Sequence, residues 1–268
     1  MLAPSPVVKL TARNALKGKF VQSVAVGCVL LFVIFIVLLT ASIVSIFAGE
    51  FIFYVASVVL FFFAVCPLVL GVLYYFRRLI WEQNDNLLII FKYFSSLSEY
   101  KRALHFLFLL ATRLALAMAI LYLPSFLVSI LSSEKLYSLL DMSIPVWTPN
   151  LWALNSFLVI LSTLALVFVM IRYYLAPTIF IANDEIDPAE AVNMSTIISK
   201  RTGADFVGLT LSFAGWILLS LLVAPLIFTL PYFITSYCVH CRFAITTYNM
   251  DVDRFNASFT PSFSTDEI

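Results

Sequence analysis

Ser236 to Phe243 reads SYCVHCRF, which places Cys238, Cys241, His240 and Arg242 in one short stretch. Three residues apart on a helix, the two cysteines share a face and could supply two metal ligands. A structural zinc site takes four. His240 points elsewhere, and Cys28 could approach Cys241 only if the first and last apolar helices were neighbours. Cys66 falls in the middle of another apolar stretch. Redox chemistry needs a thiolate, held at a helix N-terminus or beside a cation. Arg242 is such a cation, but a cysteine buried in apolar surroundings stays a thiol. The expectation is no metal and no cofactor, with the cysteines packed as small hydrophobes.

Arg113, in LLATRLAL, is the second candidate. A charge inside an apolar stretch is a functional candidate because it costs energy to keep there. The competing reading is that its long side chain snorkels to the headgroup level. Glu50 sits at a far turn, and no acidic residue falls clearly inside another apolar stretch to pair with Arg113. Arg172 and His105 read as boundary residues. There is no H-E-x-x-H, no G-x-S-x-G and no Walker loop, so no enzymatic activity is expected. Pro67, Pro124, Pro177, Pro225 and Pro231 could kink or break helices.

The elements that must position these residues follow from composition. The chain has 268 residues, 62% hydrophobic and 12% charged, with 26 phenylalanines. A soluble domain carries about twice that charged fraction. Val24 to Phe47 and Phe51 to Phe76 contain no charged residue. About 20 such residues cross the hydrocarbon layer as a helix, which satisfies every backbone amide internally. The sequence therefore predicts an all-α, polytopic membrane bundle of about six spans, at 24–47, 51–76, 105–131, 151–176, 206–223 and 225–248. Ala224-Pro225 is the expected break in the last pair, which could instead be re-entrant. The first span is too long for a signal-peptide core and lacks an A-x-A site.

Placing the N-terminus inside leaves only Lys135 among the outer basic residues. Lys9, Arg13, Lys17, Lys19, Arg77, Arg78, Lys92, Lys101, Arg102, Arg172, Lys200, Arg201, Arg242 and Arg254 then fall inside. The positive-inside rule puts both termini in the cytoplasm. The net charge of +1 offers no argument for nucleic-acid binding. The expected partners are the lipid bilayer and another membrane protein.

Residues 1–23 read as a basic segment resting on anionic lipid, 24–250 as the membrane domain, and 251–268 as a disordered cytoplasmic tail. Tyr137, Trp147 and Trp152 flank the outer loop 132–150. Two inner interfacial helices are expected. In the first, near 85–95, Leu87, Ile90, Phe91 and Phe94 share a face. Ser96 and Glu99 follow with capping-box spacing. The second, near 188–201, has Asp187 as N-cap, Pro188 in the first turn and Gly203 as a left-handed terminator.

YYLAPTIFIANDEIDPAEAVNMS, LSFAGWILL and LPYF, together with the opening ARNALKGKF, resemble the bacterial integral membrane family called domain of unknown function 975. Tyr173, Tyr174, Ala176, Pro177, Ala189, Ala191, Ser195, Lys200, Leu211, Ser212, Phe213, Gly215, Trp216, Pro231 and Tyr232 carry the resemblance. The usual Pro-Gly before Arg172 is absent, and Arg201-Thr202-Gly203 replaces Gly-Asn-Lys. The resemblance implies a bacterial plasma-membrane protein with no assigned activity. It suggests that Ser212 and Trp216 pack in the fifth span for structure. A non-enzymatic scaffold or accessory subunit is the expected function, and a transporter of a small or amphiphilic solute the alternative.

Overall fold

The computed structural model describes residues 5–48, 50–81, 86–133, 148–219 and 223–259; every regular element among them is helical. The elements are α1 (Ser5–Leu16), α2 (Phe20–Ala48), α3 (Glu50–Leu60), a π-helical segment (Phe61–Val65), α4 (Cys66–Trp81), a 3-10 helix (Leu87–Phe94), α5 (Leu97–Leu131), α6 (Thr148–Arg172), α7 (Ala176–Ala182), α8 (Pro188–Leu211), α9 (Ala214–Leu219) and α10 (Val223–Phe259). The chain divides into two compact units, Met1–Leu107 with Leu175–Ile268, and Phe108–Tyr174.

Among the described residues four stretches are long and apolar enough to cross a membrane: Phe20–Val44, Phe51–Trp81, Leu97–Leu131 and Asn150–Ala182. They correspond to the first four expected spans. The last two, 206–223 and 225–248, take another form. α8 does not stop at Gly203 but runs on to Leu211, and Gly203 has no positive φ. Ala191, Ser195, Ile198, Thr202 and Leu209 are buried at helical spacing on both sides of it. That continuous packing outweighs the ~1 kcal/mol that a glycine costs a helix. A turn at Ser212 and Phe213 then precedes the short α9. Ser212 is the C-cap of α8 rather than a packed mid-span residue, and Trp216 is exposed.

α10 keeps Pro225 in its first turn, where the missing amide proton costs no hydrogen bond. It continues past Asp251, where a disordered tail was expected, to Phe259. No proline or glycine interrupts 232–259, so nothing stops the helix there. The rest of the expected tail, 260–268, lies outside the described residues, as do residues 1–4, Asp85 and most of the outer loop, including Tyr137 and Trp147.

The first unit is built around the middle of α10, where Thr235, Ser236, Cys238, Val239, His240, Cys241 and Ala244 are at most 1% exposed. α1 packs into this core. Val8, Ala12 and Leu16 are buried at spacing four, and the first two cluster with Leu209, Phe213 and Val239. The basic stripe Lys9, Arg13 and Lys17 lies one residue along. The N-terminal helix is thus docked on protein, because an apolar stripe was present beside the basic one.

The segment after α4 is a 3-10 helix, which changes the face it buries. Three residues per turn align Leu87, Ile90 and Tyr93. Ile90 and Tyr93 are 2% and 0% exposed, whereas Leu87, Phe91 and Phe94 of the expected apolar face are exposed. Asn86 caps the helix by accepting from Leu88 N at 3.0 Å. Ser96 caps α5 by accepting from Glu99 N at 3.2 Å, as the capping-box spacing predicts.

Pro67 explains the π-helical segment before it. Proline lacks an N–H and crowds the carbonyl four residues back, here that of Phe63. The Tyr100 hydroxyl of α5 donates to this carbonyl at 2.9 Å. Within the fourth apolar stretch, a turn at Tyr173–Leu175 separates α6 from α7, which has Pro177 in its first turn.

The second unit is a hairpin of α5, from Phe108, and α6. Ser125 Oγ donates to Asn155 Oδ1 at 2.7 Å, and Ser162 Oγ to the Leu121 carbonyl at 2.7 Å. The Thr163 hydroxyl donates to Val159 O, so Tyr122 is the donor in their 2.7 Å contact. Polar groups that pair across helices hold a hairpin in an apolar medium, where hydrophobic burial supplies little drive.

Gly71 marks the closest approach of α4 to the 3-10 helix. A Cβ there would sit 1.9 Å from the Ile90 carbonyl oxygen, a backbone atom that cannot step aside cheaply. Gly71→Ala is expected to destabilise the protein by about 2 kcal/mol or more. Thermal unfolding in detergent checks this; an unchanged midpoint would contradict the packing.

Candidate functional site

The turn Asn183 to Asp187 joins α7 to α8. Asn183 Oδ1 accepts from Glu185 N at 2.9 Å, and Asp187 Oδ2 caps α8 by accepting from Ala189 N at 3.1 Å. The last carbonyls of a helix lack intrahelical donors and carry the negative end of its dipole. Three cations from distant parts of the chain meet that end. Arg77 of α4 donates from Nη1 to the Ile181 carbonyl at 3.2 Å and from Nη2 to that of Ala182 at 3.0 Å. Arg102 of α5 donates from Nη2 to Asn183 O at 2.8 Å and to Ile186 O at 3.3 Å. Lys92 Nζ donates to both Asp184 oxygens, at 2.6 and 2.8 Å.

An aromatic layer supports the clasp. Phe106 stacks on Phe180 with centroids 4.3 Å apart, and Tyr93 stacks on Phe180 at 6.1 Å. The Arg102 guanidinium lies 4.5 Å from the centre of Phe180, and Lys92 Nζ 4.1 Å from that of Tyr74. The Tyr93 hydroxyl is buried without a hydrogen-bond partner. Burial pushes its pKa up, only partly countered by the charge of Arg102.

Cys238 and Cys241 do share a face. They line a cavity of about 220 Å³ with Arg77, Trp81, Thr178 and Arg242. His240 lies away from that face, its ring centre 5.9 Å from that of Phe206. Cys28 is exposed on α2, whereas Cys238 and Cys241 are buried. Among the described residues no three His, Cys, Asp or Glu side chains come together as a metal site. Arg113 is half-buried on α5 in the hairpin unit.

The clasp residues Arg77, Lys92 and Arg102 did not stand out in the sequence, where they counted only towards sidedness. The available signal was charge complementarity, since NDEID gathers three carboxylates in five residues among segments rich in lysine and arginine.

The ion pair to Asp184 and the backbone bonds of Arg102 should differ in worth. Asp184 is 53% exposed and Arg102 17%. Asp184→Asn is expected to cost at most about 1 kcal/mol, and Arg102→Met, which leaves carbonyls unpaired, about 2–3 kcal/mol. Ranking the two unfolding midpoints in detergent decides it. Tyr93→Phe removes an unsatisfied buried hydroxyl, so stability at neutral pH should hold or rise slightly. The folded state keeps the Tyr93 proton where the unfolded chain, titrating near pH 10, releases it. Wild-type stability should therefore fall as pH rises above about 10, and the phenylalanine variant should lose that part of the slope.

No curated protein and no solved structure matches the chain. A family model does, over residues 2–246, which takes in the middle apolar stretches as well as the N-terminal and C-terminal motifs. The chain belongs to the family described as "Protein of unknown function (DUF975)".

Proposed function

We propose that this is a multi-pass protein of the bacterial plasma membrane, with both termini cytoplasmic, that acts without catalysis as a scaffold or accessory subunit. The observation that carries this reading is what its polar groups do. Arg77, Lys92 and Arg102 donate to the end of α7 and the turn after it, and the hydroxyls of the hairpin pair across α5 and α6. Polar chemistry here joins helix to helix. The four apolar stretches return the chain to its starting side, and basic residues from well-separated segments gather on one turn, as the positive-inside rule would have them. Only 6% of the most apolar window is buried in Leu97–Leu131 and in Asn150–Ala182, so acyl chains cover most of the hairpin.

A solute transporter is the alternative, favoured by the half-buried Arg113 within an apolar stretch. It requires a hydrated cavity reaching that guanidinium.

The test uses the full chain tagged at both ends in its native membrane. Both tags should be protected from protease outside intact cells. A stoichiometric membrane partner should survive purification in mild detergent and size exclusion. Tags on opposite faces overturn the topology; a chain that purifies alone, or drives solute counterflow in vesicles, overturns the accessory role.

A further inference from the structure

The cavity between α4, α7 and α10 holds two cations and no carboxylate among the residues that line it. The Arg77 and Arg242 guanidinium carbons lie 5.4 and 5.0 Å from the centre of the same Trp81 ring. The indole attracts each cation, but two like charges gathered on one ring repel each other unless an anion joins them. Arg77 uses its Nη atoms on the carbonyls of α7, while its Nε is buried with no hydrogen-bond partner. Arg242 has no carboxylate partner among the described residues and is exposed at the cavity rim. Thr246 and Asn249 add neutral polar groups to the wall. At about 220 Å³ the space is several times the volume of a water molecule.

Its depth is informative too. Arg77 and Trp81 lie at the end of the apolar stretch Phe51–Trp81, and Ile181 and Ala182 at the end of α7. The cavity therefore sits where the second span runs out, the level at which tryptophan and arginine meet headgroups. Basic pockets between helices at this level suit phosphate-bearing headgroups, and guanidinium groups bind phosphate oxygens through charge-assisted hydrogen bonds.

We propose that the Arg77–Trp81–Arg242 cavity is a binding site for a phosphate group, presented by an anionic phospholipid or by a free phosphate. Cys238, Cys241 and Thr178 form its inner wall and Arg242 is the cation that engages the ligand from the rim. The lipid source rests on the membrane reading of the chain; the free-anion source does not.

The experiment compares the full chain with Arg242→Gln, which loses no backbone hydrogen bond, and with Lys101→Gln, an exposed cation outside the cavity. Native mass spectrometry in detergent reads retention of phosphatidylglycerol against phosphatidylcholine. Thermal unfolding with and without millimolar inorganic phosphate reads the free anion. Selective phosphatidylglycerol retention that falls about fivefold in Arg242→Gln and holds in Lys101→Gln supports a headgroup site. A phosphate-dependent rise in midpoint, lost in Arg242→Gln alone, supports a free phosphate. Equal retention of the two lipids with no phosphate effect overturns the proposal, as does an Arg242→Gln variant that behaves like wild type or like Lys101→Gln.

Discussion

A helix ends with carbonyls that no amide of its own can reach. This chain answers with side chains from elsewhere. Lys9 of α1 donates to the Ser212 carbonyl at 2.8 Å, at the end of α8. Arg77 and Arg102 serve the end of α7 and the turn after it, and Tyr100 serves the carbonyl that Pro67 displaces in the second apolar stretch. Each of these donors joins elements far apart in sequence. Meeting the hydrogen-bonding demand of the backbone thereby also sets which helices are neighbours, a task that hydrophobicity performs poorly when lipid is as apolar as the core.

The hydroxyls follow the same demand on a shorter range. Thr40, Ser42, Thr112 and Ser156 each donate to the carbonyl one turn back in their own helix, which satisfies a polar hydrogen inside an apolar helix. Ser125, Tyr122 and Ser162 instead reach across the hairpin. Locally satisfied hydroxyls carry no message about function. Arg77 and Arg242 differ in that both cations lie over the Trp81 ring, in a cavity with no carboxylate in its lining.

The long apolar stretches were legible because 20 uncharged residues admit one solution, and the caps at Ser96 and Asp187 were legible because short polar side chains at helix starts have one common use. The family, too, was readable in the motifs between Tyr173 and Tyr232. What hid was whatever depends on a partner in space. The 3-10 period turned Tyr93 inward and Phe91 outward, a change that composition does not announce. Gly203 reads as a stop, yet the packing of Ile198, Thr202 and Leu209 carries the helix through. Val8, Ala12 and Leu16 were overshadowed by the charges next to them. The cysteine face was foreseen, but not the two arginines that share its cavity, because Arg77 and Arg242 are separated by most of the chain.

The seating of α1 has a consequence for how the molecule is made. Gly18, with φ of 81°, lets the chain turn between α1 and the first long apolar helix, so α1 can swing back. Its resting place is composed of Leu209, Phe213 and Val239, which the ribosome adds some 200 residues later. α1 is therefore made long before its seat exists. Until α8 and α10 follow, its greasy stripe is uncovered, and their arrival closes contacts between segments some 200 residues apart.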